Sequence, residues 1–385
     1  MRSSGSSLLL DLSKTFRYNP SAMAEYLSRR DFLKLSGLAF GAFTAGTAFG
    51  PDFPRQPEQD LGMLARVAVK QVDVRARPND QAPIVGNRFK DQVLQIYEEL
   101  RPPDAPKFYN TLWYRVWGGY VHSARLQIVS IRLNEPVPWV PASGQLCEVT
   151  VPFTTAYQPN KQTGWAQWRG SRLYYSSTHW VTDVERGPDG GPWYKIVNEL
   201  SDSEIYYVPA AHLRLIKPEE FSPISRDVPS EKKRIEVSLR EQTLRAFEYD
   251  ELVLETRISS GIPTRNSTQG EHPTATPPGK HVIYSKLPSK HMGSVAGGEE
   301  VEASGGFTLP GVPWTSFFLS PGGYALHGTY WHNNFGLQMS HGCINMPNED
   351  ALFIFRWSTP IFDPFKIESP ADWEVTGHGT PVIVS

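Results

Sequence analysis

The residues best suited to chemistry lie near the C-terminus, in Ser340-His341-Gly342-Cys343-Ile344-Asn345, with His327-Gly328-Thr329 upstream. Cys343 is one of only two cysteines in the chain. A thiol at its ordinary pKa of about 8.5 is only a few per cent thiolate at neutral pH, so a nucleophilic cysteine needs a nearby base or cation. His327 and His341 are both candidates for that base. The spacing therefore indicates cysteine acyl-transfer chemistry.

The glycine before the cysteine suits a site at which substrate approaches the main chain. The backbone N–H groups of Gly342 and Cys343 are the candidate oxyanion donors, because glycine leaves the backbone open to a ligand. His341 and Cys343 lie two residues apart, so in extended backbone their side chains would project on the same side. His341 would then flank the reacting centre.

Aromatic and polar neighbours of the motif are candidates for the walls of a substrate cleft. They are Tyr330, Trp331, His332, Trp314 and Tyr324. Core packing is the alternative, above all for Trp314 and Tyr324, since single aromatic residues are often buried. Residues 307–318, which contain the turn-forming letters L-P-G-V-P, are predicted to form a loop over or beside the site.

Zinc binding is the main competing chemistry for this cluster. His327, His332, His341 and Cys343 could together supply zinc ligands with one open position. Their spacing matches neither an H-E-x-x-H helix nor a pair of cysteines, and the glycines favour backbone exposure instead. We therefore expect no metal and no other cofactor.

The N-terminal 50 residues are predicted to be a twin-arginine export signal. Ser28-Arg29-Arg30-Asp31-Phe32-Leu33-Lys34 precedes an apolar run over residues 35–49, as in such signals. This run is shorter than the roughly 20 residues of a spanning helix, which favours cleavage over a permanent anchor. Two alternatives stay open for this segment: a buried helix of the mature domain, and an uncleaved anchor. Only an uncleaved anchor would bring the protein into contact with the membrane. We expect a cell-wall or periplasmic location, or the outer face of the cytoplasmic membrane.

Composition excludes a nucleic-acid partner and leaves the second cysteine as a structural residue. The chain has 38 Lys and Arg against 40 Asp and Glu, and the basic residues are scattered, so it lacks the electrostatic footprint of a nucleic-acid-binding protein. A disulfide between the two cysteines would silence Cys343. Cys147 is therefore predicted to be a buried free thiol in a strand-like run.

The rest of the chain divides at Pro-rich and charged stretches. Residues 51–64 are predicted to be a linker. An internal repeat follows, in which Trp113-Tyr114-Arg115-Val116 is echoed by Trp193-Tyr194-Lys195-Ile196, and repeated sequence indicates repeated folding modules. We place module 1 at 65–131 and module 2 at 145–216.

The C-terminal domain is predicted to span residues 233–385, after a second linker at 217–232. Ile235 and Val237 alternate with charged residues, and Pro381-Val382-Ile383-Val384 forms another apolar run, so both segments are predicted strands. Residues 348–357 are the predicted helix, with acidic residues in the first turn and apolar residues at helical spacing.

Each repeat carries a W-Y-x-V-like strand and later a Y-V…L ending, and in this it resembles bacterial SH3-like domains. That resemblance implies small β-barrels that bind cell-wall glycan or another partner. The alternative is that the modules merely space the catalytic domain and that their aromatic residues are core.

The C-terminal third resembles the YkuD-type L,D-transpeptidase catalytic domain. The likeness rests on Ser259-Ser260-Gly261, Thr276-Pro277-Pro278-Gly279, the His327-Gly328 pair and Ser340-His341-Gly342-Cys343, in that order. It implies that the C-terminal domain is a YkuD-like β-sandwich with short helices. Together with the SH3-like resemblance, it predicts a mainly β protein in which two small SH3-like β-barrels precede this sandwich. It also implies peptidoglycan stem peptides as substrates and acylation of the cysteine by carbapenems.

The same resemblance implies a role for each residue of the motif. Cys343 would attack a stem-tetrapeptide carbonyl and expel the terminal D-amino acid. His327 would take the thiol proton, with the Gly328 carbonyl or a neighbour fixing its tautomer, and His341 would support it. Ser340 would support the loop. Asn345 departs from a subfamily pattern that has Arg at this position, so we expect it to order the loop and not to bind a carboxylate.

Two enzymatic functions would use this thioester chemistry, and one alternative would not. The first is cross-linking, in which the acceptor is an amine of a second stem peptide. A carboxypeptidase or exchange enzyme would use the same thioester, with water or a free D-amino acid as acceptor. A catalytically degenerate wall-binding scaffold is the alternative from another class.

Overall fold

The computed structural model describes residues 62–103, 110–198, 201–263, 268–269, 272–293 and 308–385. The predicted export signal at 1–50 and most of the linker at 51–64 lie outside the described residues. All described residues belong to one compact unit. Within them, no helix combines the length and the apolarity that crossing a membrane requires.

Module 1 is built from eight short strands among the described residues. They are β1 (Met63–Val67), β2 (Gln71–Arg75), β3 (Ile84–Phe89), β4 (Val93–Ile96), β5 (Glu98–Leu100), β6 (Trp113–Val116), β7 (Gly119–His122) and β8 (Leu126–Val129). They form two antiparallel sheets with the orders β4-β1-β8 and β3-β2-β7-β6-β5. Strand β1 begins two residues before the predicted boundary of the module.

Module 2 is a single antiparallel sheet of longer strands. They are β9 (Gln145–Val149), β10 (Phe153–Asn160), β11 (Gly164–Tyr174), β12 (Thr178–Arg186), β13 (Pro192–Asn198), β14 (Ser201–Pro209) and β15 (Leu213–Leu215). Their order is β11-β10-β14-β13-β12-β9-β15. Cys147 on β9 is fully buried and free, as predicted.

The repeat seen in the sequence is a repeat in the structure. Both β6 and β13 carry a buried Trp-Tyr pair near their start, at the first position of β6 and at the second position of β13. Each of these strands pairs with the strand that follows it. A short 3-10 turn then leads into a last strand that starts with a buried leucine, Leu126 in module 1 and Leu213 in module 2. The same local pattern therefore folds in the same way twice.

The C-terminal domain packs two five-stranded sheets and one α-helix around a common core. Its elements are β16 (Lys233–Ser238), β17 (Thr243–Glu248), β18 (Glu251–Arg257), β19 (Thr268–Gln269), β20 (His272–Pro273), β21 (Gly279–Val282), β22 (Ser285–Gly293), β23 (Thr308–Leu319), β24 (Tyr324–Gly328), β25 (Ile344–Met346), α1 (Asn348–Trp357), β26 (Val375–Thr376) and β27 (Pro381–Val384). The sheet orders are β18-β17-β16-β27-β21 and β25-β24-β23-β22-β26. The mainly β architecture is thus confirmed.

The helix and the outer strands form where the sequence pattern places them. Strand β16 alternates buried and half-buried residues along its length, which gives it one face toward the core. Helix α1 starts after Pro347, carries Glu349 and Asp350 in its first turn, and packs on β23 and β24. Its bounds match the prediction because helical spacing and acidic first-turn residues are local signals.

Two predicted loops are part of the core instead. Residues 308–318 of the predicted loop lie in β23, the middle strand of its sheet, while Phe307 lies outside the described residues. The Cβ of a non-glycine residue at position 311 would lie 2.3 Å from the Thr178 carbonyl oxygen, so module 2 packs closely on this strand. The linker at 217–232 likewise places Phe221 in the core of the C-terminal domain.

Candidate active site

Two parallel strands bring the predicted cysteine and histidine segments together. Strand β24 pairs with β25, so that Leu326 lies opposite Ile344 and His327 lies opposite Asn345. Cys343 is the residue directly before β25 and is partly exposed. The edge of one sheet therefore carries both candidates, and core packing on both strands fixes their relative register.

His327 is held in a single tautomer by its own strand. It is 2% exposed, and its Nδ1 lies 2.9 Å from the Gly328 carbonyl oxygen. A carbonyl can only accept, so Nδ1 carries the proton and Nε2 keeps its lone pair. Burial lowers the pKa of His327 to about 4, and the Gly328 hydrogen bond opposes that shift. At neutral pH the ring is an uncharged base.

Cys343 is a thiol in the resting site. Burial of its sulfur raises the pKa to about 11, and a backbone hydrogen bond from Ala325 opposes the shift. The thiol donates weakly to the Gly323 carbonyl oxygen at 3.7 Å. Of the two aids that the sequence analysis considered for this thiol, a base or a cation, His327 can only be the base, because its ring is uncharged at neutral pH. If this sulfur acts as a nucleophile, it must lose its proton as it attacks.

Ser340 and Gly342 shape the turn that presents the cysteine. Ser340 Oγ accepts from the Gly342 N–H at 3.2 Å and donates to the Cys343 carbonyl. The Gly342 N–H, expected to be an oxyanion donor, is thus engaged within the turn. Gly342 has φ +119, and a Cβ there would lie 2.6 Å from Tyr324 Cε1.

Replacing Gly342 by Ala should destabilise the protein by about 3 kcal/mol, because it combines a strained φ with a clash against Tyr324. Gly164→Ala is the matched control, since Gly164 also has a positive φ, +77, but open space around it. It should cost only the backbone strain, about 1 kcal/mol. Urea unfolding of both variants measures the difference. Equal losses would show that contact with Tyr324 is unimportant.

A layer of buried polar residues beneath the turn was not predicted as part of the site. Thr276 Oγ1 donates to the Gly342 carbonyl oxygen and accepts from the Gly261 N–H, both at 2.8 Å. Gln242 Oε1 accepts from the Ser260 N–H at 2.8 Å. The sequence signal for Gly261, Ser260 and Thr276 was present in the S-S-G and T-P-P-G motifs. Gln242 had no such signal.

Asn345 and His332 form a buried pair behind the cysteine. The backbone of Asn345 exchanges hydrogen bonds with Ser259, at 2.8 and 2.9 Å. His332 Nδ1 accepts from the Asn334 N–H at 3.2 Å, which leaves the proton of a neutral ring on Nε2. Nε2 lies 2.9 Å from Asn345 Nδ2. Two donors cannot bond each other, so the pair requires the amide turned over, with Oδ1 accepting the Nε2 proton. Asn345 therefore orders the loop from inside.

The remaining predicted site residues differ in their accessibility. Tyr330, His332, Trp314 and Tyr324 are all at least nine-tenths buried, and Trp314 packs on Phe355 in the core. Trp331 is half-buried, with its ring centroid 5.7 Å from that of His327. His341 is exposed and lies in a bend, so the extended geometry considered for His341 and Cys343 is not present. Of the five cleft candidates, only Trp331 is accessible enough to line a cleft.

The described residues contain no group of three or more His, Cys, Asp or Glu side chains placed to hold a metal ion. His327, His332, His341 and Cys343 are therefore not arranged as one ligand set. What the site offers is a thiol, a neutral imidazole and a turn held by hydrogen bonds. These groups suit acyl transfer to and from sulfur.

This β-sandwich with a cysteine beside a buried histidine has the equipment of a thiol-dependent acyl transferase. Residues 232–384 match the family model of the L,D-transpeptidase catalytic domain, YkuD, one residue from the predicted bounds at either end. The C-terminal domain is thus a YkuD-type L,D-transpeptidase catalytic domain.

Individual relatives match parts of the chain. A putative L,D-transpeptidase YkuD of Bacillus licheniformis is 32% identical over 121 residues, which are 31% of this chain and 56% of that protein. The chain therefore spans about half the length of this curated relative. Among solved structures, an L,D-transpeptidase from Mycobacterium smegmatis is 15% identical, with a TM-score of 0.30, and the match covers 68% of this chain and 92% of that one. One from Xylanimonas cellulosilytica is 21% identical, with a TM-score of 0.27, covering 41% and 62%.

Proposed function

We propose that this protein is a peptidoglycan L,D-transpeptidase that works through a thioester on Cys343. The proposal is carried by the parallel pairing of β24 with β25, which sets His327 opposite Asn345, two residues after Cys343, inside the domain that matches the family. The proposed donor is a stem tetrapeptide, and the proposed acceptor is an amine of a second stem peptide. The S-R-R-D-F-L-K motif at residues 28–34 supports export by the twin-arginine route to the compartment that holds this polymer.

The first half-reaction starts from an uncharged pair. Cys343 Sγ attacks the carbonyl carbon before the terminal D-amino acid, while the thiol proton moves to His327 Nε2. Prior ionisation is disfavoured, because the thiol pKa lies near 11 and the imidazole pKa near 4. Proton transfer is therefore coupled to attack, as in general-base catalysis, which contributes about 10²–10⁴-fold to rate.

The tetrahedral intermediate then collapses to the acyl-enzyme. We assign the Cys343 N–H as oxyanion donor, because the Gly342 N–H already donates to Ser340 Oγ. His327 returns its proton to the departing amine, the C–N bond breaks, and the D-amino acid leaves. A thioester remains on Cys343.

The second half-reaction runs the same steps in reverse order. An acceptor amine attacks the thioester carbonyl and gives its proton to His327. The C–S bond breaks, the sulfur recovers that proton, and a new amide is released. Glycan binding by the two modules stays a prediction of their SH3-like resemblance and is not needed for these steps.

Product analysis with a purified disaccharide tetrapeptide tests this function. We expect a cross-linked dimer and one free D-amino acid for each new bond, measured by liquid chromatography and mass spectrometry. Tripeptide without dimer would instead indicate a carboxypeptidase, and a tetrapeptide carrying an added labelled D-amino acid would indicate an exchange enzyme. Unchanged tetrapeptide, with either lysine or diaminopimelate at its third position, would contradict an enzymatic role and favour the scaffold.

A further inference from the structure

Arg66 is a fully buried cation at the edge of module 1. It is 1% exposed, and it donates to Asp91 Oδ1 at 2.9 Å and to Gln127 Oε1 at 2.8 and 3.1 Å. A buried charge is tolerated only when it is paired and hydrogen-bonded. These partners all lie in module 1. One further bond leaves the module: Nη2 donates to the Tyr330 carbonyl oxygen at 3.2 Å.

Module 1 binds the same stretch of the C-terminal domain at a second point. The Asn333 N–H donates to the Ala124 carbonyl oxygen at 3.0 Å. The Asn333 carbonyl oxygen accepts from Asn110 Nδ2, also at 3.0 Å. Residues 330–334, here called the 330–334 segment, are thus held by backbone hydrogen bonds near both ends. They have no helix or strand pairing of their own.

Module 2 also contacts the 330–334 segment. The Tyr330 ring stacks on the Tyr174 ring, with 5.8 Å between centroids. The Arg66 guanidinium lies over the same Tyr174 ring, 4.1 Å from its centroid. Arg172 of module 2 also pairs with Asp91. The anchor of Tyr330 is therefore a desolvated contact between three parts of the chain.

The 330–334 segment reaches the reacting residues by two contacts. Trp331 packs against the ring of His327. His332 bonds the Asn345 amide, and Asn345 follows Cys343 by two residues. Each of these side chains comes from a residue between the two points that module 1 holds. A shift of the segment would therefore move groups that touch both the base and the cysteine turn.

We propose that module 1 is a positioning element of the active site, with Arg66 and Asn110 as positioning residues that hold the 330–334 segment against His327 and Asn345. The inference rests on the proposed acyl transfer for its kinetic readout. It goes beyond that function, because it makes the N-terminal module part of the working site. A misplacement of catalytic groups by about 1 Å can cost about 100-fold in rate.

Arg66→Lys is the first test. Lysine keeps the charge beside Asp91, but a single ammonium cannot reproduce the fork that bonds Gln127 and Tyr330 together. We expect kcat to fall by about tenfold or more with KM changed by less than about twofold. Asn110→Ala should lower kcat in the same direction by about threefold. Arg75→Lys is the matched control, since the Arg75 side chain bonds Ala82 and Asp73, both within module 1, and it should behave as wild type.

Alkylation of the two cysteines tests the proposal independently of acyl transfer. Loosening of the 330–334 segment should admit water around Cys343, so iodoacetamide at about pH 8 should label it several-fold faster than in wild type. Cys147 is fully buried and should stay protected, which separates local loosening from unfolding. Site-resolved mass spectrometry gives both rates even if no transpeptidation is detected.

Wild-type kcat and wild-type Cys343 labelling in both Arg66→Lys and Asn110→Ala would overturn the proposal. Equal labelling of Cys147 and Cys343 in both variants would overturn it too, since the substitutions would then act by general unfolding. If Arg66→Lys alone fails to fold, Asn110→Ala decides the outcome.

Discussion

Cys343→Ala is expected to abolish product formation, with a loss of about 10⁴-fold or more in kcat/KM. Alanine removes the sulfur that precedes β25, the strand paired with that of His327, and without it no thioester can form. The side chain is small and partly exposed, so the fold should survive the change. Circular dichroism and thermal unfolding check this before the product analysis is run.

Cys147→Ser is the control for this prediction. Cys147 Sγ donates to the His179 carbonyl oxygen at 3.2 Å in the core of module 2, and burial raises its pKa well above the ordinary value. It should therefore retain activity. It should also retain a single carbapenem adduct by intact-protein mass spectrometry, as wild type does, whereas Cys343→Ala should form none. An equal adduct on Cys343→Ala would place the nucleophile elsewhere.

The parts of this fold that sequence predicts are those set by local pattern. Helix α1, the alternating strand β16 and the two W-Y repeats each carry their signal within a few residues. Strand β23 does not. Its L-P-G-V-P letters are typical of a turn. What stabilises a strand there is long-range: pairing with β22 and β24 and packing of module 2 against Gly311.

The site shows the same division between local and long-range information. Cys343 and His327 are recognisable from residue type and spacing. The supporting role of Thr276 depends on hydrogen bonds to Gly261 and Gly342, 15 and 66 residues away. Arg66 is the extreme case, since its bond to Tyr330 spans 264 residues. A lone arginine in a β-rich module predicts a solvated side chain, and nothing near it in sequence suggests otherwise.

Mild acid is expected to unfold this protein, because three buried histidines resist protonation in the native state. Burial is the main cause that lowers the pKa of His179 to about 3, of His327 to about 4 and of His332 to about 3. Interaction with His291 lowers the pKa of His179 further, and interaction with Arg125 lowers that of His332 further.

The sign of the effect follows from proton binding. In the unfolded chain a histidine has a pKa of about 6.5. Between about pH 6.5 and 4 the unfolded state therefore binds more protons, and the free energy of unfolding falls as pH falls. Below the native pKa values both states are protonated, so the loss levels off. At pH 5 each group contributes about 2 kcal/mol, or about 6 kcal/mol for the three.

A loss of this size is comparable with the whole stability of many domains, so we expect urea midpoints to fall steeply from about pH 7 to pH 5. His179→Gln is the informative variant, because His179 lies on β12 of module 2 and has no assigned role in acyl transfer. It should reduce the loss over this interval by about one third, whatever its effect on stability at neutral pH. A pH dependence as steep as that of wild type would show that His179 is protonated in the native state, and a flat profile in wild type would contradict the prediction for all three. Since His327 is one of the three, the burial that keeps it neutral for the proposed acyl transfer also sets part of the acid limit of the fold.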